Sequence, residues 1–194
     1  MSTLKVDEIL KRTGTGTITI GQSGDTVTIP SGATLNAAGS TSGLGKVAQV
    51  LSTTKTDTFT VNSRSYSAIT GLSVSITPSS TSSKILVIVS LQAVSSNNGD
   101  AVILRDSTQI GVGDTSGSRT SGSFGDFYNG GGTALTSNSA SVLDSPSSTS
   151  AITYSVSCLT ASSSVFYVNR TTTDTDNSGY SRGASTITVM EILA

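Results

Sequence analysis

The chain contains no histidine and no tryptophan, one cysteine, three prolines and few charges. Each shortage excludes something. Histidine is the commonest general base and the commonest metal ligand, so neither a Ser-His-Asp nor a Cys-His arrangement can be built. The usual zinc site cannot be built either; no metal and no cofactor is expected. Ser-Lys or paired-carboxylate chemistry stays open, but the acids are scattered and no motif singles out a pair. One cysteine, Cys158, rules out an intrachain disulfide framework. Charged residues make up 12% of the chain, against about 25% in ordinary soluble domains. With a net charge of −1 nothing favours nucleic acid, whose binders need a basic patch. No apolar run reaches the roughly 18 residues that would span a bilayer, so membrane insertion is not expected. The opening MSTLKVDEILKR lacks the apolar region of a secretory signal.

What the chain has is serine and threonine, together roughly a third of its residues. Such a composition can mean disorder. Against that, hydrophobic residues reach 35% and fall in alternating runs. Threonine is β-branched and suits a pleated, half-exposed surface. The pattern predicts an all-β chain with Ser/Thr on its wet faces.

Three segments follow. Residues 1–12 carry a small apolar set, Leu4, Val6, Ile9 and Leu10, which is either an anchoring peptide or a frayed terminus. Residues 13–45 read TGTGTITIGQSGDTVTIPSGATLNAAGSTSGLG. Ile18 and Ile20 share one face, as do Val27 and Ile29, with Gly21, Gly24, Pro30 and Gly32 as punctuation. So narrow a ribbon cannot bury a core alone. Neighbouring copies that pool their stripes supply one, as in stacked repeats. The alternation favours such a slender β-ribbon stalk over a flexible linker.

Residues 46–194 show strand signals at the short spacing of a sandwich or barrel: 47–51, 58–61, 66–70, 72–76, 84–94, 101–105, 109–112, 140–143, 152–158, 165–168 and 186–193. About ten short antiparallel strands fit a jelly-roll-like β-sandwich. The phrase Pro-Ser-Ser-Thr-Ser occurs twice, at 78–82 and 146–150, each time between an ending strand and a beginning one. Proline stops the ladder and the hydroxyls satisfy local backbone, so two similar turns are expected. Ile85–Val89 and Val165–Val168 are apolar on both faces, which predicts cover on both sides.

Other signals are weaker. Cys158 shares a face with Ile152, Tyr154 and Val156 and reads as a buried small hydrophobe. Residues 173–179 are similar to an acidic calcium loop but lack the full pattern and terminal Glu of an EF-hand. Asn169-Arg170-Thr171 is a glycosylation sequon, a pattern frequent by chance.

Five stretches carry a resemblance: MSTLKVDEI (1–9), GTITIGQSGDTVTIPSGATLN (16–36), KVAQVLSTTKTDTFT (46–60), GLSVSITPSSTSSKILV (71–87) and ASTITVMEI (184–192). In these the chain resembles virion proteins of marine tailed phages, cyanophages included, of the tail-fibre or structural kind. The resemblance spans nearly the whole chain. It implies a homotrimer with a slender N-terminal part and a β-rich C-terminal knob, located in the virion. Residues 1–12 would then contact other virion proteins, and exposed loops would meet a host-surface glycan. It brings no catalytic motif.

Receptor-binding candidates are Phe124, Asp126, Phe127, Tyr128 and Asn129, aromatics amid glycines, with Tyr180 and Arg182 as a second group. Aromatic rings stack on sugars while Asp and Asn bond their hydroxyls. The alternative is a structural role only, as capsid decoration, head fibre or tail adaptor. A glycosidase would need two carboxylates about 5–9.5 Å apart, for which Asp100, Asp106, Asp114 and Asp126 are the available acids. The balance predicts no enzyme.

Overall fold

The computed structural model describes residues 19–20, 22–34, 46–129, 134–161 and 164–193. Leu4, Val6, Ile9 and Leu10 lie outside them. The chain divides into two units, Met1–Leu44 and Gly45–Ala194.

The second unit is all-β. Its strands are β1 (Val47–Lys55), β2 (Phe59–Val61), β3 (Ser67–Ile76), β4 (Lys84–Ser95), β5 (Gly99–Arg105), β6 (Thr108–Ile110), β7 (Thr136–Asp144), β8 (Ile152–Thr160), β9 (Phe166–Val168) and β10 (Ser185–Ile192). Every pairing between them is antiparallel. One sheet runs β1-β10-β4-β7, and the other runs β3-β8-β5-β6. The short β9 and β2 extend the first sheet alongside the far end of β4. Two four-stranded sheets in this order form a jelly-roll sandwich.

Alternation sets the core. On β4, Ile85, Val87, Val89 and Leu91 are fully buried. They join Tyr154, Val156 and Cys158 of β8 and Ile187 and Val189 of β10 in one cluster. Each such aliphatic side chain contributes about 1.5–3 kcal/mol on burial. The stretches 66–70 and 72–76 turn out to be one strand, β3. Gly71 between them has φ 81°, and the β3–β8 register shifts between Ala68 and Ser73. A left-handed glycine makes such a bulge without ending the strand.

The two strands read as doubly apolar have different fates. The outer side of β9 is covered within the chain, where Arg170 lies 5.0 Å over the Tyr167 ring. The outer side of β4 is not covered: Leu86 is half-buried and Ile88 is 38% exposed.

Both copies of Pro-Ser-Ser-Thr-Ser cross from one sheet to the other, 78–82 between β3 and β4 and 146–150 between β7 and β8. They share one end of the sandwich, since Ile76 pairs with Ile152 and Ile85 with Asp144. They also share a local bond. Ser80 Oγ accepts the Ser82 N–H at 3.2 Å, and Ser148 Oγ accepts the Ser150 N–H at 3.0 Å. The same spelling thus encodes the same hydroxyl turn.

A carboxylate ties each crossing to the body. At the first, Glu191 Oε1 accepts the Ser79 N–H and hydroxyl, both at 2.6 Å, and Oε2 accepts Gln49 Nε2 at 2.7 Å. At the second, Asp144 accepts Tyr154 Oη at 2.7 Å and pairs with Arg105 at 2.8 Å.

At the opposite end, Asn169 joins β9 to an excursion that returns at β10. It is fully buried with φ 59°. Its Nδ2 donates to the carbonyls of Lys55 (2.8 Å) and Asp57 (2.9 Å), and its Oδ1 accepts Ser185 Oγ at 2.7 Å. The sequon asparagine is therefore a buried clamp between β1, β9 and β10, out of reach of a glycosyl donor.

In the first unit, residues 22–34 hold two turns eight residues apart. Asp25 N donates to Gln22 O and Ala33 N to Pro30 O, both at 3.0 Å. Gly24 and Gly32 sit third in each turn with φ 95° and 85°, which only glycine adopts easily. Between the turns, Thr26–Ile29 forms no strand with its own chain. The sequence supplies the turns of a β-ribbon, but the described residues hold no strand of it. Ile20, Val27 and Ile29 stay 65%, 58% and 46% exposed.

Candidate functional site

A cavity of about 390 Å³ lies at the end of the sandwich away from Val47. Its floor is Asn98 of the β4–β5 turn, Gly99 and Asp100 at the start of β5, and Leu159 and Ala161 at the end of β8. Its wall is the long β6–β7 connection, which contributes Arg119, Thr120, Gly122, Phe124 and Asp126. Its volume falls in the roughly 300–1,000 Å³ range of small-ligand pockets.

The wall is pinned to β5. Ser123 N donates to Ala101 O at 3.0 Å, Ser123 Oγ accepts the Ile103 N–H at 2.9 Å, and the same hydroxyl donates to Ile110 O at 2.8 Å. Phe127 anchors the next turn. It is fully buried, edge-on to Phe166 at 4.9 Å, and its backbone bonds Gly99 O and the Ser95 N–H. Phe124 packs against Phe127 at 6.1 Å and keeps part of its ring open to the cavity. No room is left at Gly122, where a Cβ would overlap Asp100 Oδ1.

Two carboxylates meet here. Asp126 Oδ1 accepts the Gly99 and Tyr128 N–H groups at 3.0 and 3.1 Å, which fixes it across the floor. Asp100 Oδ1 accepts the Ala101 N–H at 2.7 Å. Burial pushes the Asp100 carboxyl up to about 6, the Ala101 N–H pulls against this, and the Asp126 charge adds to it. Asp100 thus changes charge near neutral pH. Burial, with help from the Asp100 charge, also raises the Tyr66 phenol to about 12. The lining thus sets the carboxylates of Asp100 and Asp126, the Arg119 and Asn98 side chains and a phenyl face around one cavity.

Five candidates from the sequence divide here. Phe124 and Asp126 line the cavity. Phe127 is closed to a ligand from outside: it is core, because the β6–β7 connection turns its ring onto Phe166 rather than to solvent. Tyr128 is 44% exposed but makes a bridge to Ser95 outside the cavity lining. Asn129 bonds Ala134 O and lies outside it too. Tyr180 and Arg182 line a separate concavity of about 260 Å³ on the excursion between β9 and β10, with Asp174 and Asn177. Asp174 is engaged there by Arg182 at 2.7 Å and Arg170 at 3.4 Å, so arginines take the carboxylate that an acidic cation loop would offer.

No known protein family matches this chain, and no curated protein matches it in sequence.

The sequence pattern did not mark Arg119 or Asn98 as site residues, and it offered Asp100 only among four acids for paired-carboxylate chemistry. The turn Asn97-Asn98-Gly99-Asp100 was a visible signal, since Asn, Gly and Asp mark a loop beside two strands. Arg119, a lone charge in a Gly/Ser loop, carried no pattern. Of the four acids considered for paired-carboxylate chemistry, the fold brings Asp100 and Asp126 to one cavity. Asp106 turns away at the β5–β6 hairpin, where its Oδ1 accepts the Thr153 N–H at 3.0 Å.

Proposed function

We propose that this chain is a non-enzymatic virion fibre or spike protein that assembles as a homotrimer. Its N-terminal segment joins the particle and its jelly-roll knob meets a host-surface glycan. One observation carries the reading: the cavity at Asp100, Asp126 and Phe124 lies at the end of the sandwich opposite β1's start, where residues 1–45 join. The resemblance to marine tailed-phage virion proteins supports the same reading. So does a body with few charges whose chain is rich in serine and threonine.

The test is binding of the labelled full chain to a panel of marine bacterial and cyanobacterial cells and to their purified surface polysaccharides. Binding to one of them, weakened at least tenfold by Phe124→Ala with the circular dichroism spectrum unchanged, is the expected result. A chain that binds phage particles but no cell or polysaccharide would leave the capsid-decoration or adaptor role instead.

A further inference from the structure

We infer that the outer face of the β1-β10-β4-β7 sheet is the surface through which copies of this chain pack on one another. The inference rests on the homotrimer reading and names the face that assembly uses.

The face departs from the rule that an antiparallel sheet keeps its outer side polar. Val50 pairs with Met190, Met190 with Leu86, and Leu86 with Leu143. Directly paired residues share a face, so these four form one apolar row across all four strands. Ile88 lies beneath it. Val50 and Leu143 are 52% and 53% exposed. The other sheet obeys the rule: at the corresponding place it shows Ser73 against Ser155 and Ser75 against Thr153.

The rest of the face is ready to lose water. Ser52 and Thr188 hydroxyls bond each other at 2.9 Å, and Gln92 Nε2 donates to Ser137 Oγ at 2.7 Å. Polar groups paired in the plane cost less to cover than open ones. Lys84 alone is charged among the outward side chains of β10, β4 and β7 that share the ladder.

An uncharged face asks for an uncharged partner, and a copy of this chain offers one. The first unit has the same chemistry: Ile20, Val27 and Ile29 stand open among threonines. One assembly of copies covers both.

Four strands about 4.8 Å apart and eight residues long give roughly 500 Å² of sheet plane. A standard interface takes about 800 Å² from each partner. The face is therefore a contributor that works together with contacts made by residues 1–45, through the high effective concentration that a second contact provides.

The experiment uses the full chain. Its mass is followed by sedimentation and light scattering over a dilution series, beside Val50→Glu/Leu143→Asp and a control, Ser73→Asp, on the other sheet. Separately, Leu143→Cys and Ser73→Cys are labelled with a maleimide; native Cys158 is buried and its thiol, desolvated, is pushed up to about 12, so it stays silent. The expected result is an oligomer that the double variant dissociates at concentrations at least a hundredfold higher, with the control unchanged. Leu143→Cys should label at least tenfold more slowly than Ser73→Cys. If the double variant fails to fold, the labelling ratio decides. A native oligomer with equal labelling rates, or with an unaffected double variant, overturns the inference and leaves the homotrimer reading standing on another face. A native chain that stays monomeric throughout overturns both.

Discussion

Replacing Glu191 should loosen the first sheet crossing and cost the protein a large part of its stability. The side chain is fully buried on β10. Burial alone would push its carboxyl up. Hydrogen bonds from the Ser79 hydroxyl and N–H and from Gln49 outweigh that and hold it down at about 2. Glu191→Ala strands three donors around a hole. At about 1–1.5 kcal/mol for each lost bond, the loss is about 3–4.5 kcal/mol. That is a large share of the roughly 5–15 kcal/mol that holds a domain together. Glu191→Gln keeps the shape but turns one oxygen into a donor that faces donors, and should cost about 1.5–3 kcal/mol.

The assay is urea unfolding at pH 7, at one chain concentration, followed by far-ultraviolet circular dichroism. The pH dependence gives a second reading. The folded pKa lies below the ordinary 4.5. Glu191 therefore stabilises fully above about pH 4.5 and loses that contribution as pH falls toward 2. Asp100 has the opposite sign: its folded pKa is raised to about 6, so its share falls as pH rises from about 4 to 6. Subtracting the Glu191→Gln curve from the native curve isolates Glu191. A variant within about 0.5 kcal/mol of the native chain at pH 7, or one that loses as much stability as native below pH 4.5, would refute the reasoning.

Other outcomes follow from the same structure. If a glycan is held by ionised Asp100, binding should weaken as pH falls below about 6, and Asp100→Asn should flatten that dependence; titration calorimetry at pH 5 and 8 checks it. Gly122→Ala should abolish ligand binding while thermal unfolding moves little, because the new methyl displaces the Asp100 carboxylate into the cavity. Asn169→Ala should cost about 2–4 kcal/mol in urea unfolding, since three buried bonds and a left-handed backbone position depend on it. Removing residues 1–45 should raise the concentration at which copies dissociate by at least tenfold in the light-scattering series, because the sheet face alone is too small to hold them.

Much of the fold is legible in the one-dimensional pattern. Period-two alternation marks Leu72, Val74 and Ile76, or Ile152, Tyr154, Val156 and Cys158, as inward whatever their partners are. The two Pro-Ser-Ser-Thr-Ser phrases announce turns because their bonds are local, from Ser80 to Ser82 and from Ser148 to Ser150. Gly24 and Gly32 announce theirs for the same reason. Local chemistry needs no knowledge of the rest of the chain.

What needed the tertiary structure is everything that depends on which strands become neighbours. The pattern shows that Ile85–Val89 is apolar on both sides, but only the pairing with β10 and β7 places Leu86 between Met190 and Leu143 in one exposed row. Asp100 and Asp126 sit far apart in sequence and meet because the β6–β7 connection folds back over the β4–β5 turn. Phe124 and Phe127 look alike in sequence; the direction of that connection turns one ring to the cavity and the other into the core. Composition and periodicity are sums over neighbours along the chain, and they determined the all-β body, its turns and its missing chemistries. The cavity, the carboxylate clamps and the apolar face are contacts across the chain, and long-range pairing alone decided them.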